Sequence, residues 1–151
     1  MRQAYLLIYL FGLVLLLSCK TTSPGKDDGF TYFEVGFDTQ NADWRDTAFI
    51  VRTKNDDLIQ KANAQMNLPI PDRQIVFGKL VPGDGGYNKN ATHSFKWHFK
   101  EDEWDLVDIV AEIYDGKPYT DVDQNYAYWM DTMTRFGAWS SYIKKQLPGK
   151  P

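Results

Sequence analysis

Residues Ser94–Asp115, SFKWHFKEDEWDLVDIVAEIYD, decide how the rest of the chain is read. Phe95, Trp97 and Phe99 alternate with Lys96, His98 and Lys100, a period of two that puts three aromatic rings on one face of a strand. Val107, Ile109, Ala111 and Ile113 repeat that period in the next segment. A hairpin turning at Glu101–Glu103 with an odd number of loop residues brings both apolar sets to one face, and register follows the face that is buried. The opposite face is then expected to carry His98, Asp108 and Glu112 beside Leu106, Val110 and Tyr114, neither bare surface nor pure core.

Upstream of this stretch, Arg73–Val81 reads as a strand that stops at Pro82-Gly83-Asp84-Gly85-Gly86. That glycine cluster lacks the Gly-Lys-Ser/Thr of a phosphate cradle and reads as a turn. Asn55 can cap a helix, with Asp56 and Asp57 at the positive end of its dipole. Leu58, Ile59, Ala62 and Met66 recur at helical spacing until Pro69 and Pro71 stop the element. Two earlier segments, Phe30–Phe37 and Thr47–Thr53, alternate and carry β-branched residues, which predicts a pair of strands joined through the loop Asp38–Asp46.

Downstream, Asp115-Gly116-Lys117-Pro118 is a turn, and Thr120 with Asp123 has the spacing of a capping box. The helix it opens spans Asp121–Thr134, with Val122, Tyr126, Trp129, Met130 and Met133 as its stripe and Gly137 at its end. Trp139–Leu147 closes the chain as a short strand or helix. With 151 residues, 43% of them hydrophobic, one compact core is expected. The fold class is α+β: a mainly antiparallel sheet with two helices packed on it.

The first residues follow another logic. Arg2 precedes an uncharged apolar run, Ala4–Ser18, too short for a comfortable transmembrane helix and suited to an export signal. Leu16-Leu17-Ser18-Cys19 resembles the bacterial lipobox, and Cys19 is the only cysteine in the chain. The expectation is a signal peptide over residues 1–18 and a diacylglyceryl group on Cys19 with further acylation, because two or more acyl chains hold a bilayer where one does not. Residues 19–29 then form a polar tether and residues 30–151 the domain. The membrane is a partner through this anchor, in the envelope of a bacterium. Lys20, where inner-membrane retention uses Asp, points to the outer membrane if one is present. A net charge of −3 without a basic cluster excludes nucleic acid as a partner.

Signatures of catalysis and metal binding are missing. Asp121, Asp123 and Asn125 begin like a calcium loop, but Tyr126 stands where Gly is needed and Thr132 where Glu is needed. His93 and His98 are the only imidazoles, without a zinc pattern, so no metal and no cofactor is expected. Ser94, Ser140 and Ser141 sit in no nucleophile elbow. His98 with Asp108 and Glu112 could supply an acid and a base on one sheet face, or could be a structural histidine beside solvated acids. Of the tryptophans, Trp97 and Trp129 are expected in the core, and Trp104, beside the predicted turn, at the surface as a stacking platform.

Several pieces of the chain, in order, are similar to one family: Phe49-Ile50-Val51, Asp57-Leu58-Ile59, Gly78-Lys79-Leu80, Gly86-Tyr87-Asn88 and Trp97-His98-Phe99. Trp104-Asp105-Leu106, Glu112-Ile113-Tyr114-Asp115-Gly116, Tyr128-Trp129, Arg135-Phe136 and Trp139-Ser140-Ser141 continue the series. From Thr31 onward the chain resembles the BP-seventy-four N-terminal domain family of small secreted domains, some bacterial members of which are labelled calmodulin. Asp121 and its neighbours give that label no support. Many relatives have Cys where Tyr114 and Gly137 stand here, which implies a bridge this chain lacks, and Lys89–His93 resembles an insertion. The resemblance carries no activity with it. The functional expectation is a non-enzymatic envelope lipoprotein that binds a ligand or an envelope protein, with Asn88, His98, Trp104, Glu112 and Asp115 near the binding face. The alternatives are a small extracytoplasmic hydrolase using His98 and Glu112, and a structural assembly subunit.

Overall fold

A computed structural model describes residues 28–38, 43–111 and 113–151; the expected signal peptide, Cys19, most of the expected tether and Glu112 lie outside the described residues. Among the described residues, two three-stranded antiparallel sheets and a two-stranded ribbon surround a main core, beside a smaller cluster of Tyr32, Ile50 and Tyr87. The first sheet has β1 (Thr31–Phe37) in its centre, flanked by β2 (Ala48–Thr53) and β8 (Ser141–Gln146). The second has β3 (Ile75–Pro82) between β6 (Trp97–Val107) and β7 (Arg135–Gly137). The ribbon is β4 (Lys89–Asn90) with β5 (His93–Ser94). β1 pairs with β2 as the alternation predicts, Phe33 opposite Val51 and Val35 opposite Phe49.

Helix α1 (Asp56–Gln65) begins where Asn55 caps it, its Oδ1 accepting from the amides of Asp57 at 3.0 Å and Leu58 at 3.3 Å. Leu58 and Ala62 are its buried pair, one turn apart. The second helical segment runs as a π-turn (Pro118–Asp123), one α-turn (α2, Tyr126–Tyr128) and a second π-turn (Trp129–Met133). The predicted stripe is confirmed: Val122 and Trp129 are buried, and Tyr126, Met130 and Met133 pack against the core. Its boundaries differ from expectation. Thr134, at φ 55°, ends the helix, so Gly137 belongs to β7. No capping box forms, because Asp123 is buried beneath the ribbon and the start of the segment is capped by Asp46 instead.

The largest correction concerns Ser94–Asp115. No hairpin turns at residues 101–103; β6 passes straight through them as one 11-residue strand. Its register with β3 moves between Gly78, opposite Trp104, and Leu80, opposite Phe99, so that residues 100–103 stand against Lys79 alone. This bulge reverses the phase of the alternation. Before it the odd positions Trp97 and Phe99 face inward; after it the even positions Trp104 and Leu106 do. Trp104 is therefore 4% exposed, not a surface platform, and its Nε1 donates to the Arg52 carbonyl at 2.8 Å. Val107 ends the strand, and Ile109, expected in the core, is 85% exposed. The reason lies in β3, which already has β6 on one side and β7 on the other and offers no third edge.

The core is dominated by rings. Phe49 lies 5.4 Å from Trp97 and 5.6 Å from Phe99, and Phe136 lies 5.6 Å from Trp97 and 5.5 Å from Trp129. Each such ring, fully buried, contributes about 2–3 kcal/mol relative to exposure. Among the described residues no helix is long and apolar enough to cross a membrane.

Candidate functional site

Among the described residues, the side chains singled out from the sequence each engage a different structural partner. His98 projects from the outer face of β6 and its Nδ1 lies 2.7 Å from the Gly83 carbonyl; since a carbonyl only accepts, Nδ1 carries the proton. The imidazole also meets the Tyr87 ring edge-on at 5.5 Å. Gly85 is needed beneath it, at φ +61°, because a Cβ there would stand 2.6 Å from Tyr87 and 3.1 Å from His98. His98 thus clamps the 83–86 turn.

Asn88 is fully buried and its amide is spent on backbone: Oδ1 accepts from the Ile50 amide at 2.9 Å, and Nδ2 donates to the Trp97 carbonyl at 2.8 Å. It joins β2 to β6 across the seam between the sheets. Asp108 accepts from Gln74 Nε2 at 2.8 Å, and exposed Asp115 pairs with Lys117 at 2.9 Å. The calcium-like acids point apart. Asp121 accepts from the Lys117 amide at 2.7 Å, with its carboxyl pushed up by burial, while Asp123 accepts from the Lys96 amide at 2.7 Å. Among the described residues no group of three or more His, Cys, Asp and Glu stands close enough to hold a metal.

Two polar arrangements were not legible in the sequence. His93 Nε2 lies 3.2 Å from the buried carboxylate of Asp123, with the ring set edge-on between Phe95 and Tyr119 at 5.0 Å each. Arg52 hydrogen-bonds Glu101 through Nε at 3.0 Å and spreads over the rings of Phe30 and Tyr87 at 4.2 and 4.5 Å. Beside it the Tyr32 hydroxyl donates to Asp28, which holds that carboxyl below its usual range and fastens the first described residue to the first sheet. No sequence spacing marks either group, because each joins distant segments.

Two concave regions adjoin each other along the second sheet. The larger, about 580 Å³, is a polar cleft between the start of α1 and the β6 bulge. Several of its charges are paired: Lys61 with Asp105 at 2.8 Å, and Glu103 with Lys79 at 3.3 Å and with Lys100. The smaller, about 370 Å³, is lined by Val107, Val110, Ile113, Trp129, Met133 and other apolar groups, with Arg135 at the place where it meets the cleft. Gly137 shapes its wall, for a Cβ there would stand 2.8 Å from Val110. Exposed Ile109 forms the rim, and half-exposed Tyr114 and Tyr128, with ring centres 6.0 Å apart, extend the wall outward from Trp129.

Trp129 is 1% exposed, and its Nε1 is the single buried side-chain nitrogen or oxygen without a hydrogen-bond partner among the described residues. Leaving such a donor unmet costs about 1–3 kcal/mol, so native folds rarely tolerate it without reason. The sequence placed Trp129 and Met133 in the core stripe, which is correct, and gave no sign that the same residues wall a cavity. That feature arises where the chain leaves the sheet after Val107, so that Val110 and Ile113 stand outside β6.

The chain matches the model of the BP-seventy-four N-terminal domain over residues 31–150, which spans both sheets, both helical segments and the two concave regions. No curated protein and no solved structure matches it. The chain belongs to the BP-seventy-four N-terminal domain family.

Proposed function

We propose that this chain is a non-enzymatic binding domain of the bacterial cell envelope, held to a membrane by acylated Cys19, and that its ligand enters the apolar cavity beside Trp129. The single observation behind the choice of site is the concave region itself, whose wall of Phe77, Val107, Val110, Ile113, Trp129 and Met133 is almost wholly apolar. Small-molecule sites are typically such regions with a few polar groups, and about 370 Å³ falls in their usual range. The neighbouring cleft is larger but polar, and Lys61, Asp105 and Glu103 in its wall already hold ion-pair partners. His98 lines neither region, which leaves the acid–base alternative without a concave site on its described side.

The test is binding of a hydrophobic reporter such as N-phenylnaphthylamine, monitored by energy transfer from tryptophan. Wild type is expected to bind the reporter, and Ala111→Phe, which adds a ring to the exposed side of the cavity, is expected to weaken binding at unchanged thermal stability. Equal binding by wild type and this variant would remove the cavity as the site. The anchor is tested separately: Cys19→Ser should abolish acyl labelling, and retained labelling would overturn it.

A further inference from the structure

Among the described residues that line the cavity, one is charged. Arg135, the first residue of β7, is exposed over 49% of its side chain and borders both the apolar cavity and the polar cleft. Its one ion pair among the described residues is a 4.0 Å contact with Glu103. That carboxylate is already held by Lys79 at 3.3 Å and, more closely, by Lys100. The guanidinium therefore retains unfilled donors, and it lies 5.7 Å from the centre of the Phe77 ring, which lines the cavity too.

Taking the cavity as the binding site, as proposed above, we infer that its ligand is a medium-chain amphiphile with a carboxylate head. The planar fork of Arg135 grips the carboxylate, and the chain lies against Phe77, Val107, Val110 and Met133. A single guanidinium matches a carboxylate in shape and charge. A dianionic phosphate fits poorly, because Asp57, Asp102, Glu103 and Asp105 line the adjoining cleft and repel the second charge. Cationic amphiphiles are repelled by Arg135 itself. The volume of about 370 Å³ suits one short tail.

Calorimetric titration of the purified chain with decanoate, decanol and decyl phosphate tests this. Decanoate is expected to bind roughly tenfold more tightly than decanol, and more tightly than the phosphate. Arg135→Gln should erase the preference for decanoate and leave decanol affinity unchanged; about 0.5 M salt should narrow it in wild type. Equal binding of decanoate and decanol, a preference that survives Arg135→Gln, or tighter binding of decyl phosphate would overturn the carboxylate assignment and leave the cavity standing. Failure of all three ligands to bind would overturn both.

Discussion

Asp46 caps a helical segment that begins more than seventy residues later: its Oδ1 accepts from the amides of Tyr119 at 2.7 Å and Thr120 at 2.9 Å, and its Oδ2 takes the Thr120 hydroxyl. The carboxylate sits in a short 3₁₀ turn, Trp44–Asp46, and is almost wholly buried. It thereby fixes the start of the segment that carries Trp129 against the loop between β1 and β2.

Removing that cap leaves two amide donors unmet. Asp46→Ala is expected to lower unfolding free energy by about 2–3 kcal/mol, and Asp46→Asn, which still accepts from the amides, by about half as much. Urea unfolding followed by tryptophan fluorescence measures both. Equal losses in the two variants would show that volume, not hydrogen bonding, is what Asp46 supplies.

The β6 bulge depends on Gly78. A Cβ there would stand 2.7 Å from the Phe99 ring and 2.7 Å from Trp104 Cβ, the two residues between which the register moves. Gly78→Ala must separate them or force β3 outward, and is expected to cost about 2–3 kcal/mol. A variant as stable as wild type would mean that the rings find another packing without strain, which thermal unfolding would reveal directly.

The bulge also explains where sequence reasoning stopped. Local signals were sufficient for Asn55 and the Leu58–Ala62 stripe, for the β1–β2 pair, and for the inward faces of Phe95, Trp97 and Phe99, since each is fixed by neighbours within a few residues. Glu101–Glu103 is a charged run that suits a turn and a bulge equally well. Only the partner strand decides, and β3 lies some twenty residues upstream with β7 on its far side. The same limit hid the site. Asn88 is expected near the binding face, whereas its amide closes the seam between the sheets. Trp129 carries in its helical spacing no sign that its N–H lacks a partner.

Tyr87 makes alkaline stability sensitive to one hydroxyl. Burial pushes its pKa well above the ordinary 10.0, and the neutral hydroxyl donates to the Phe99 carbonyl at 3.2 Å. A group whose pKa is raised on folding contributes stability that is fully present below its unfolded pKa and is lost as pH rises through the folded value. Tyr87→Phe should therefore be less stable than wild type by about 1 kcal/mol at neutral pH. The gap should close above pH 10.0, where wild type alone must ionise a buried phenol or unfold. Melting curves that stay parallel from neutral pH into this range would rule out the coupling.

Asn88 separates a structural from a ligand-binding role. If its amide serves only to join Ile50 to Trp97, Asn88→Ala leaves one buried donor and one buried acceptor unpaired, a loss of about 3 kcal/mol. Asn88→Asp keeps the acceptor for Ile50 but sets an oxygen against the Trp97 carbonyl. Its penalty should grow with pH as the buried carboxyl is forced to ionise, since burial favours the neutral acid. Reporter affinity of the folded fraction should stay at the wild-type value in both variants, because Asn88 lines neither concave region. Preserved stability with lost reporter binding would reverse the assignment and return Asn88 to the binding face.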